Sequence, residues 1–156
     1  GLGGFFHRTR FAIVSNTANQ RSFFGFLAST SAIAVTQEPR LLTNMIGVGN
    51  GLGETTLRVY GNDGVGTATE VDLGANFPAN DSTMVYDFTL FHAPNGNSCT
   101  WEVSNLTTGN KATGTIIDAN LPASTVFLGY HAYINNGGTA AAVNFDLMRI
   151  YTETDY

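Results

Sequence analysis

The hydrophobic positions of this chain recur with the spacing of strands and not of helices. Short runs of β-branched and aromatic residues are interrupted by Gly, Asn or Pro about every 10 to 15 residues. Asn95-Gly96 and Asn136-Gly137-Gly138 supply residues that tolerate positive φ, as hairpin turns require. The pattern predicts an all-β fold with antiparallel connections.

Ten strands follow from this reading. They are predicted at residues 5–15, 21–29, 43–49, 55–61, 68–73, 84–92, 99–106, 111–118, 125–134 and 140–152. Ten strands suit a two-sheet antiparallel β-sandwich of the jelly-roll type. No motif repeats at a fixed period, and 156 residues suffice for one core, so residues 1–156 are predicted to form a single domain.

The last predicted strand has the pattern of a sheet interior. In AAAVNFDLMRIYTETDY apolar residues recur at Val143, Phe145 and Leu147, and again at Ile150 after a slip of one position. An interior strand contributes several buried side chains, each worth about 1.5 to 3 kcal/mol. Deletion of residues 143–156 is therefore expected to leave a chain that cannot fold.

The first and last strands are predicted to lie side by side in one sheet. Each end of the chain is then held by backbone hydrogen bonds of its neighbour, and both ends leave from one region. In this arrangement Arg8 and Arg10 are expected to face Glu153 and Asp155, an opposite-charge pairing worth some tenths of a kcal/mol.

Composition and charge exclude several partners. Charged residues make up 12% of the chain and the net charge is −5, with the arginines and the single lysine scattered and not clustered. Nucleic acid, which requires a concentrated positive face, is excluded as a partner. No apolar run reaches the roughly 18 residues of a spanning helix, so membrane insertion is not expected. The opening GLGG suggests the C-terminal fragment of a longer protein.

Candidate nucleophiles and acids are incomplete as catalytic sets. Glu70 and Asp72 alternate on one strand as in jelly-roll glucanases, but the third acid of that pattern would fall on Gly74. Retaining glycosidases need two carboxyl groups about 5 to 5.5 Å apart, so this set lacks a proton donor in register. Cys99 has no disulfide partner in the chain and no local catalytic signature, which predicts a core thiol. We expect no catalytic residues.

No metal site is predicted, and no cofactor. His7, His92 and His131 lie far apart in sequence and lack metal-ligand spacing. Oxygen ligands for calcium exist at Asp63 and Asp81, without EF-hand spacing, and turn formation is the favoured role for these residues.

The remaining candidate chemistry is recognition of neutral, hydroxylated ligands. Sugars are bound by aromatic faces together with Asn, Asp and His side chains that donate and accept hydrogen bonds. The predicted carbohydrate-binding residues are Trp101, Tyr130, His131, Tyr133, Asn135 and Asn136. In the alternative interpretation, Tyr130 and Ile134 pack inward, Tyr133 covers a sheet face and the two Asn residues only turn the chain.

Several segments together resemble a known family. They are RTRFAIVSNTANQRSFFGF, YGNDGVGTATEVDLGANFPAN, APNG, WEVSNLTTG, NLPAST and IYTETDY, and they span nearly the whole chain. The set resembles the C-terminal lectin-like domain of bacteriophage tail fibres and tailspikes. The resemblance implies a concanavalin A-like jelly roll, usually trimeric, located at the distal end of a virion protein and outside the host cell.

The resemblance also implies a role, with alternatives left open. The favoured role is noncatalytic attachment of the virion to bacterial surface polysaccharide or lipopolysaccharide. The second is a structural domain for trimerisation or virion decoration without a ligand. The third is a glucanase-like glycoside hydrolase acting through Glu70.

Overall fold

The computed structural model describes residues 3–17 and 19–155, and these form ten strands and two single-turn 3-10 helices. The strands are β1 (Phe5–Ile13), β2 (Arg21–Leu27), β3 (Met45–Asn50), β4 (Arg58–Asn62), β5 (Thr69–Asp72), β6 (Tyr86–His92), β7 (Ser98–Asn105), β8 (Lys111–Ile117), β9 (Gly129–Asn135) and β10 (Phe145–Thr154). The 3-10 helices are η1 (Pro39–Leu41) and η2 (Asp118–Asn120). No helix in this part of the chain is long and apolar enough to cross a membrane.

The strands form two five-stranded antiparallel sheets, which confirms the predicted sandwich. Sheet A has the order β10-β1-β6-β7-β8, and sheet B has the order β5-β4-β3-β2-β9. β1 pairs with β10 from Phe5 opposite Thr154 to Ile13 opposite Phe145, so the predicted neighbourhood of the first and last strands is also confirmed. The backbone amide of Asp155 donates to the carbonyl of Gly4 at 3.0 Å, which brings residues 4 and 155 together.

The core lies between the sheets and is rich in aromatic rings. Alternate residues of each strand point inward, as the period of two in a strand requires. Phe11 of β1 and Phe24 of β2 stack across the sheets, with ring centroids 3.9 Å apart and an interplanar angle of 15°. Both rings are fully buried. These contacts fix β1 above β2 and set the relative position of the two sheets.

β10 is an edge strand, and the prediction of an interior strand is wrong. Its outer edge pairs with no strand of the described residues, and almost all of its side chains are exposed. The reason is an offset between the sheets. β9, at the edge of sheet B, lies above β1, where the Tyr130 and Thr9 hydroxyls are 2.8 Å apart. Only Phe145 reaches the core, with its ring centroid 5.3 Å from that of Phe24.

Arg8 and Arg10 do not face the acids of the last strand, so that prediction is also wrong. Both guanidinium groups pair with Asp87 on β6, the other neighbour of β1, and the Arg10–Asp87 distance is 2.8 Å. Burial opposes ionisation of Asp87, but hydrogen bonds from Arg10 and Arg8 outweigh it and lower its pKa. The register explains the difference, because Arg10 lies directly opposite Asp87 on β6 but opposite Arg149 on β10.

The largest differences from the predicted strand boundaries are at the starts of the last two strands. Residues 125–128, predicted to begin a strand, lie in the connection before β9. Residues 140–144, predicted to begin the last strand, precede β10 as a loop. The first difference frees an apolar segment that borders the site described next.

Candidate functional site

A cavity opens at the end of the sandwich where residues 4 and 155 meet. It lies between the sheets and has a volume of about 530 Å³, within the range of about 300 to 1,000 Å³ typical of small-ligand sites. We call it the terminal pocket. Its lining residues include Phe5, Ile46, His92, Cys99, Asp118, Leu121, Ser124, Val126 and Leu128.

The segment 118–128 between β8 and β9 forms one wall of the terminal pocket. It begins with η2, which is closed by a hydrogen bond from the Leu121 amide to the Asp118 carbonyl at 3.0 Å. Leu121 is buried in the core and anchors the segment. Pro122 follows and has no amide hydrogen to continue strand pairing. After Leu121 the segment therefore pairs with no strand of either sheet until β9 begins.

The floor of the terminal pocket is apolar. Phe5, Ile46 and Leu121 contribute hydrocarbon surface, and the thiol of Cys99 lies beneath them. Burial raises the pKa of Cys99 to about 12. The thiol thus stays protonated at neutral pH and acts as a small apolar group, in agreement with the sequence prediction of a core cysteine.

The rim of the terminal pocket carries polar groups. His92 Nε2 lies 3.8 Å from Asp118 Oδ1, which is within reach of an ion pair when the ring is protonated but longer than a hydrogen bond. The His92 ring is parallel to that of Phe5, with centroids 6.0 Å apart. The Asp118 side chain is 57% exposed and can accept hydrogen bonds from a ligand.

Phe127 is the most exposed large apolar residue of the described chain. Its relative exposure is 95%, although its neighbours Val126 and Leu128 both line the terminal pocket. Leaving a phenyl ring in water forgoes about 1.5 to 3 kcal/mol of burial. An exposed aromatic ring in the wall segment of a cavity with polar rim groups can stack on the C–H face of a sugar. The sequence analysis missed it because TVFLGY reads as the start of a strand.

Trp101 and Tyr130, two of the predicted binding residues, point into the sandwich. Trp101 on β7 is 3% exposed and its ring lies against Gly114, where an added Cβ would stand 2.3 Å from the indole. The Tyr130 hydroxyl is hydrogen-bonded to Thr9 between the sheets. Trp101 is therefore buried and Tyr130 is half-buried, with its hydroxyl on the inner side of the sheet.

Asn135 and Asn136 form the turn after β9. The Asn135 amide nitrogen contacts the Ala34 carbonyl at 3.5 Å, and its side-chain oxygen accepts from the Gly137 amide at 3.2 Å. The Asn136 side-chain nitrogen donates to the Ala141 carbonyl at 2.7 Å, and its oxygen accepts from the Gly138 amide at 3.1 Å. The turn uses the hydrogen-bonding groups that a sugar would need.

His131 and Tyr133 lie on the outer face of sheet B, away from the terminal pocket. His131 is opposite Gly25 on β2, and Tyr133 is opposite Phe23, whose ring it stacks on at 6.0 Å. The Tyr133 hydroxyl is buried without a hydrogen-bond partner among the described residues. Of the six predicted residues, His131 and Tyr133 lie together on one face of a sheet, and their side chains do not stabilise a turn as those of Asn135 and Asn136 do.

The far side of the same outer face carries an ionic network. Arg58 on β4 lies 3.1 Å from Glu54, 3.7 Å from Glu70 and 3.2 Å from Asp72. Hydrogen bonds from the Gly74 amide and the Thr56 hydroxyl lower the pKa of Asp72. Glu70 and Asp72 therefore share one arginine, and the arrangement keeps Asp72 ionised as an acceptor and not as a proton donor.

No protein family matches the sequence, and no curated protein matches it. Solved structures resemble the fold. The lectin UEA-II of Ulex europaeus, complexed with galactose, has a TM-score of 0.63 at 14% identity and covers 99% of this chain and 73% of its own. The CBM2 module of the evolved Dit of Lactobacillus casei BL23 phage J-1 has a TM-score of 0.58 at 11% identity, over 96% of this chain.

A phage tailspike shares the architecture as well. The enzymatically active domain of tailspike protein 2 from bacteriophage CBA120 has a TM-score of 0.54 at 17% identity, over 98% of this chain. The chain spans 60% of the phage J-1 module and 22% of that tailspike chain. These likenesses show a lectin-like jelly-roll fold, which confirms the fold that the sequence resemblance implied.

Proposed function

We propose that this chain is a noncatalytic carbohydrate-binding module of a phage tail fibre or tailspike, and that it attaches the virion to polysaccharide or lipopolysaccharide on the host surface. The observation that carries the proposal is the exposed Phe127 ring in the segment that forms one wall of the terminal pocket, with His92 and Asp118 at the rim. The fold it shares with a lectin, a phage carbohydrate-binding module and a phage tailspike domain supports the same function.

The chemistry of the terminal pocket suits a sugar with an apolar substituent. Phe127, between the pocket-lining Val126 and Leu128, offers an exposed ring face for the C–H groups of a pyranose, while Asp118 and Ser124 line the pocket and offer hydrogen-bonding groups for its hydroxyls. The apolar floor at Ile46 and Leu121 accommodates a methyl group better than a hydroxyl. We therefore expect 6-deoxy or N-acetyl sugars to bind more tightly than their plain hexose counterparts.

A glycan array of bacterial polysaccharide and lipopolysaccharide fragments tests the proposal. Phe127→Ala is expected to weaken binding about tenfold, because one aromatic contact contributes about 1 kcal/mol or more. Leu52→Ala is the matched control, because Leu52 is an exposed apolar residue in the loop after β3, outside the terminal pocket. Retention of no glycan across a broad panel would refute the function.

A second pair of variants locates the site. His131→Ala and Tyr133→Ala remove two of the binding residues that the sequence predicted, both on the outer face of sheet B, and leave the terminal pocket intact. We expect them to bind like the wild type. Loss of binding in these variants, with Phe127→Ala unaffected, would move the site to β9. Trp101→Ala is not informative because it empties a core position.

Two parts of the proposal concern assembly and the absence of catalysis. The resemblance implies a trimer, in which weak single sites gain apparent affinity through effective concentration.

As a noncatalytic module the chain should release no reducing ends from β-glucans or host polysaccharide. Release that Glu70→Gln abolishes would establish the hydrolase alternative instead.

A further inference from the structure

Among the residues that the structure describes, the outer edge of β10 is the longest strand edge without a pairing partner. β10 has ten residues, whereas β5, at the edge of sheet B, has four and carries the charged residues Glu70 and Asp72. Natural proteins protect edge strands by keeping them short or charged, because an open edge pairs with other chains. β10 instead exposes large apolar side chains: Leu147, Met148, Ile150 and Tyr151.

The offset of the sheets leaves β10 uncovered on its inner side too. Ile150 lies opposite the buried Thr9 and belongs to the inward-facing set of sheet A, yet it is 49% exposed because β9 lies above β1. Tyr151, on the outer side, is equally exposed. An apolar strand with both faces and one edge open has the surface of a strand that lacks a neighbour.

We infer that a second copy of this chain is that neighbour, and that two copies pair their β10 strands antiparallel about a two-fold axis at Tyr151. In this register Arg149 of each copy faces Glu153 of the other, and Ile150 faces Thr152. A two-fold axis creates each of these contacts twice. The two five-stranded A sheets then become one continuous sheet.

The charges of β10 select this register. Arg149 forms no ion pair within the described residues. Glu153 accepts a hydrogen bond from Tyr151 at 2.9 Å through Oε2 only, which leaves Oε1 for the second copy. Opposite charges facing each other across antiparallel strands stabilise the pair.

Neighbouring registers fit less well. An axis at Ile150 would put Leu147 opposite Glu153 and leave Arg149 opposite Tyr151. An axis at Thr152 would bring Arg149 opposite Asp155, which lies beyond the end of the strand. The irregularity in the β1–β10 pairing falls at Met148, so residues 149–153 remain a regular strand. The axis at Tyr151 thus uses the regular part of β10.

This inference does not rest on the proposed function. A two-fold axis relates only two copies, so the pairing inferred here is a property of the isolated 156-residue chain and is separate from the trimer that the resemblance implies. Glycan binding through the terminal pocket can fail while the strands pair, and the reverse also holds.

Sedimentation equilibrium of the 156-residue chain, together with a charge-swap series, tests the inference. The wild type is expected to show a concentration-dependent dimer. Arg149→Glu and Glu153→Arg alone should each raise the dissociation constant about tenfold, because each places like charges opposite each other twice. The double variant, with both substitutions, should restore pairing to near the wild-type level. Lys111→Glu, a charge reversal on the opposite edge of sheet A, is the control and should leave the dissociation constant of the dimer unchanged.

A cysteine at position 151 tests the axis itself. Only a residue on a two-fold axis lies opposite itself, and facing residues of paired strands have Cα atoms at a distance a disulfide can span. Tyr151→Cys is expected to give an intermolecular disulfide on mild oxidation, while Arg149→Cys is not. Native Cys99 is buried and does not interfere.

Several outcomes would overturn the inference. They are a monomer at every concentration up to the millimolar range, a trimer of the isolated chain, or a double charge swap that fails to restore pairing. Melting curves of each variant at low concentration show whether it is folded. The substituted side chains are exposed, and the monomer should tolerate them.

Discussion

β8 and β10 close the two sides of sheet A and differ in what covers them. Ile116 of β8 is 2% exposed because its side chain lies against Gly61 of sheet B, where an added Cβ would stand 2.8 Å from it. Ile150 of β10, in the same sheet and facing the same way, is 49% exposed. The difference shows that the offset between the sheets, and not the residue type, decides which apolar residues of this fold form core.

Truncation of the two isoleucines gives the largest contrast between these edges. Ile116→Ala is expected to lower the free energy of unfolding by about 2 to 4 kcal/mol, because it leaves a cavity in the core. Ile150→Ala should cost less than about 1 kcal/mol in the monomer. Urea unfolding at a low protein concentration measures both. Equal losses would mean that β10 is covered after all.

Acid is expected to weaken the β10 side of sheet A. Burial lowers the pKa of His7 from 6.5 to about 4, and its Nδ1 lies 2.9 Å from the Thr152 hydroxyl of β10. The folded state thus holds His7 neutral, while the unfolded chain takes up a proton near its usual pKa. The stabilisation is complete above about pH 6.5 and is lost as the pH falls towards 4, up to about 3 kcal/mol in total.

The free energy of unfolding at pH 7, 5.5 and 4 measures this loss. His7→Gln removes the titrating ring and should lose less stability over that range than the wild type does. Asp87 does not obscure the result, because its contribution to stability is lost mainly below the pKa of about 3.8 that an aspartate has in the unfolded chain. Parallel curves for the two proteins would show that His7 does not cause the acid sensitivity.

The smallest expected effect concerns the charge pair on β8. Lys111 Nζ lies 3.1 Å from Glu102 Oε1, and the lysine side chain is 64% exposed. Exposed pairs of this kind contribute between 0 and about 1 kcal/mol. Lys111→Ala should therefore change the free energy of unfolding by less than about 0.5 kcal/mol, by the same urea measurement. A larger loss would show that Lys111 helps to hold the β8 edge.

The sequence predicted the fold well because strand patterns and turn residues are local. Alternation of apolar residues and the Asn-Gly turns marked all ten strands, and the neighbourhood of β1 and β10 followed from the pattern at the two ends. Whether β10 is covered by the other sheet or exposed to solvent was not predictable in this way. A period of two shows that a strand has an apolar face, but not whether another sheet lies above it.

The partners of charged residues were also beyond local reasoning. β1 has acids on both neighbouring strands, and only the register shows that Arg10 faces Asp87 and not an acid of β10. The register depends on how the whole sheet packs, so a sequence supplies both choices without deciding between them.

The candidate site was only partly accessible to sequence reasoning. Trp101 and Phe127 are both aromatic residues that could stack on a sugar, but the Trp101 ring lies in the core and the Phe127 ring is exposed to water. Residues 125–128 look like the first residues of β9 because most of them are apolar, but Val126 closes a turn through a hydrogen bond from its amide to the Ala123 carbonyl at 2.9 Å. His92, the last residue of β6, and Asp118, the first residue of η2, are far apart in sequence, and only the fold places their side chains 3.8 Å apart.

The backbone hydrogen bond between Asp155 and Gly4 holds the start of β1 and the end of β10 next to each other at one end of the sandwich. Because the chain arrives and departs within one peptide hydrogen bond, such a unit can be spliced into a surface turn of an unrelated protein and leave the flanking segments almost where they were. The sandwich would then project outwards from that turn.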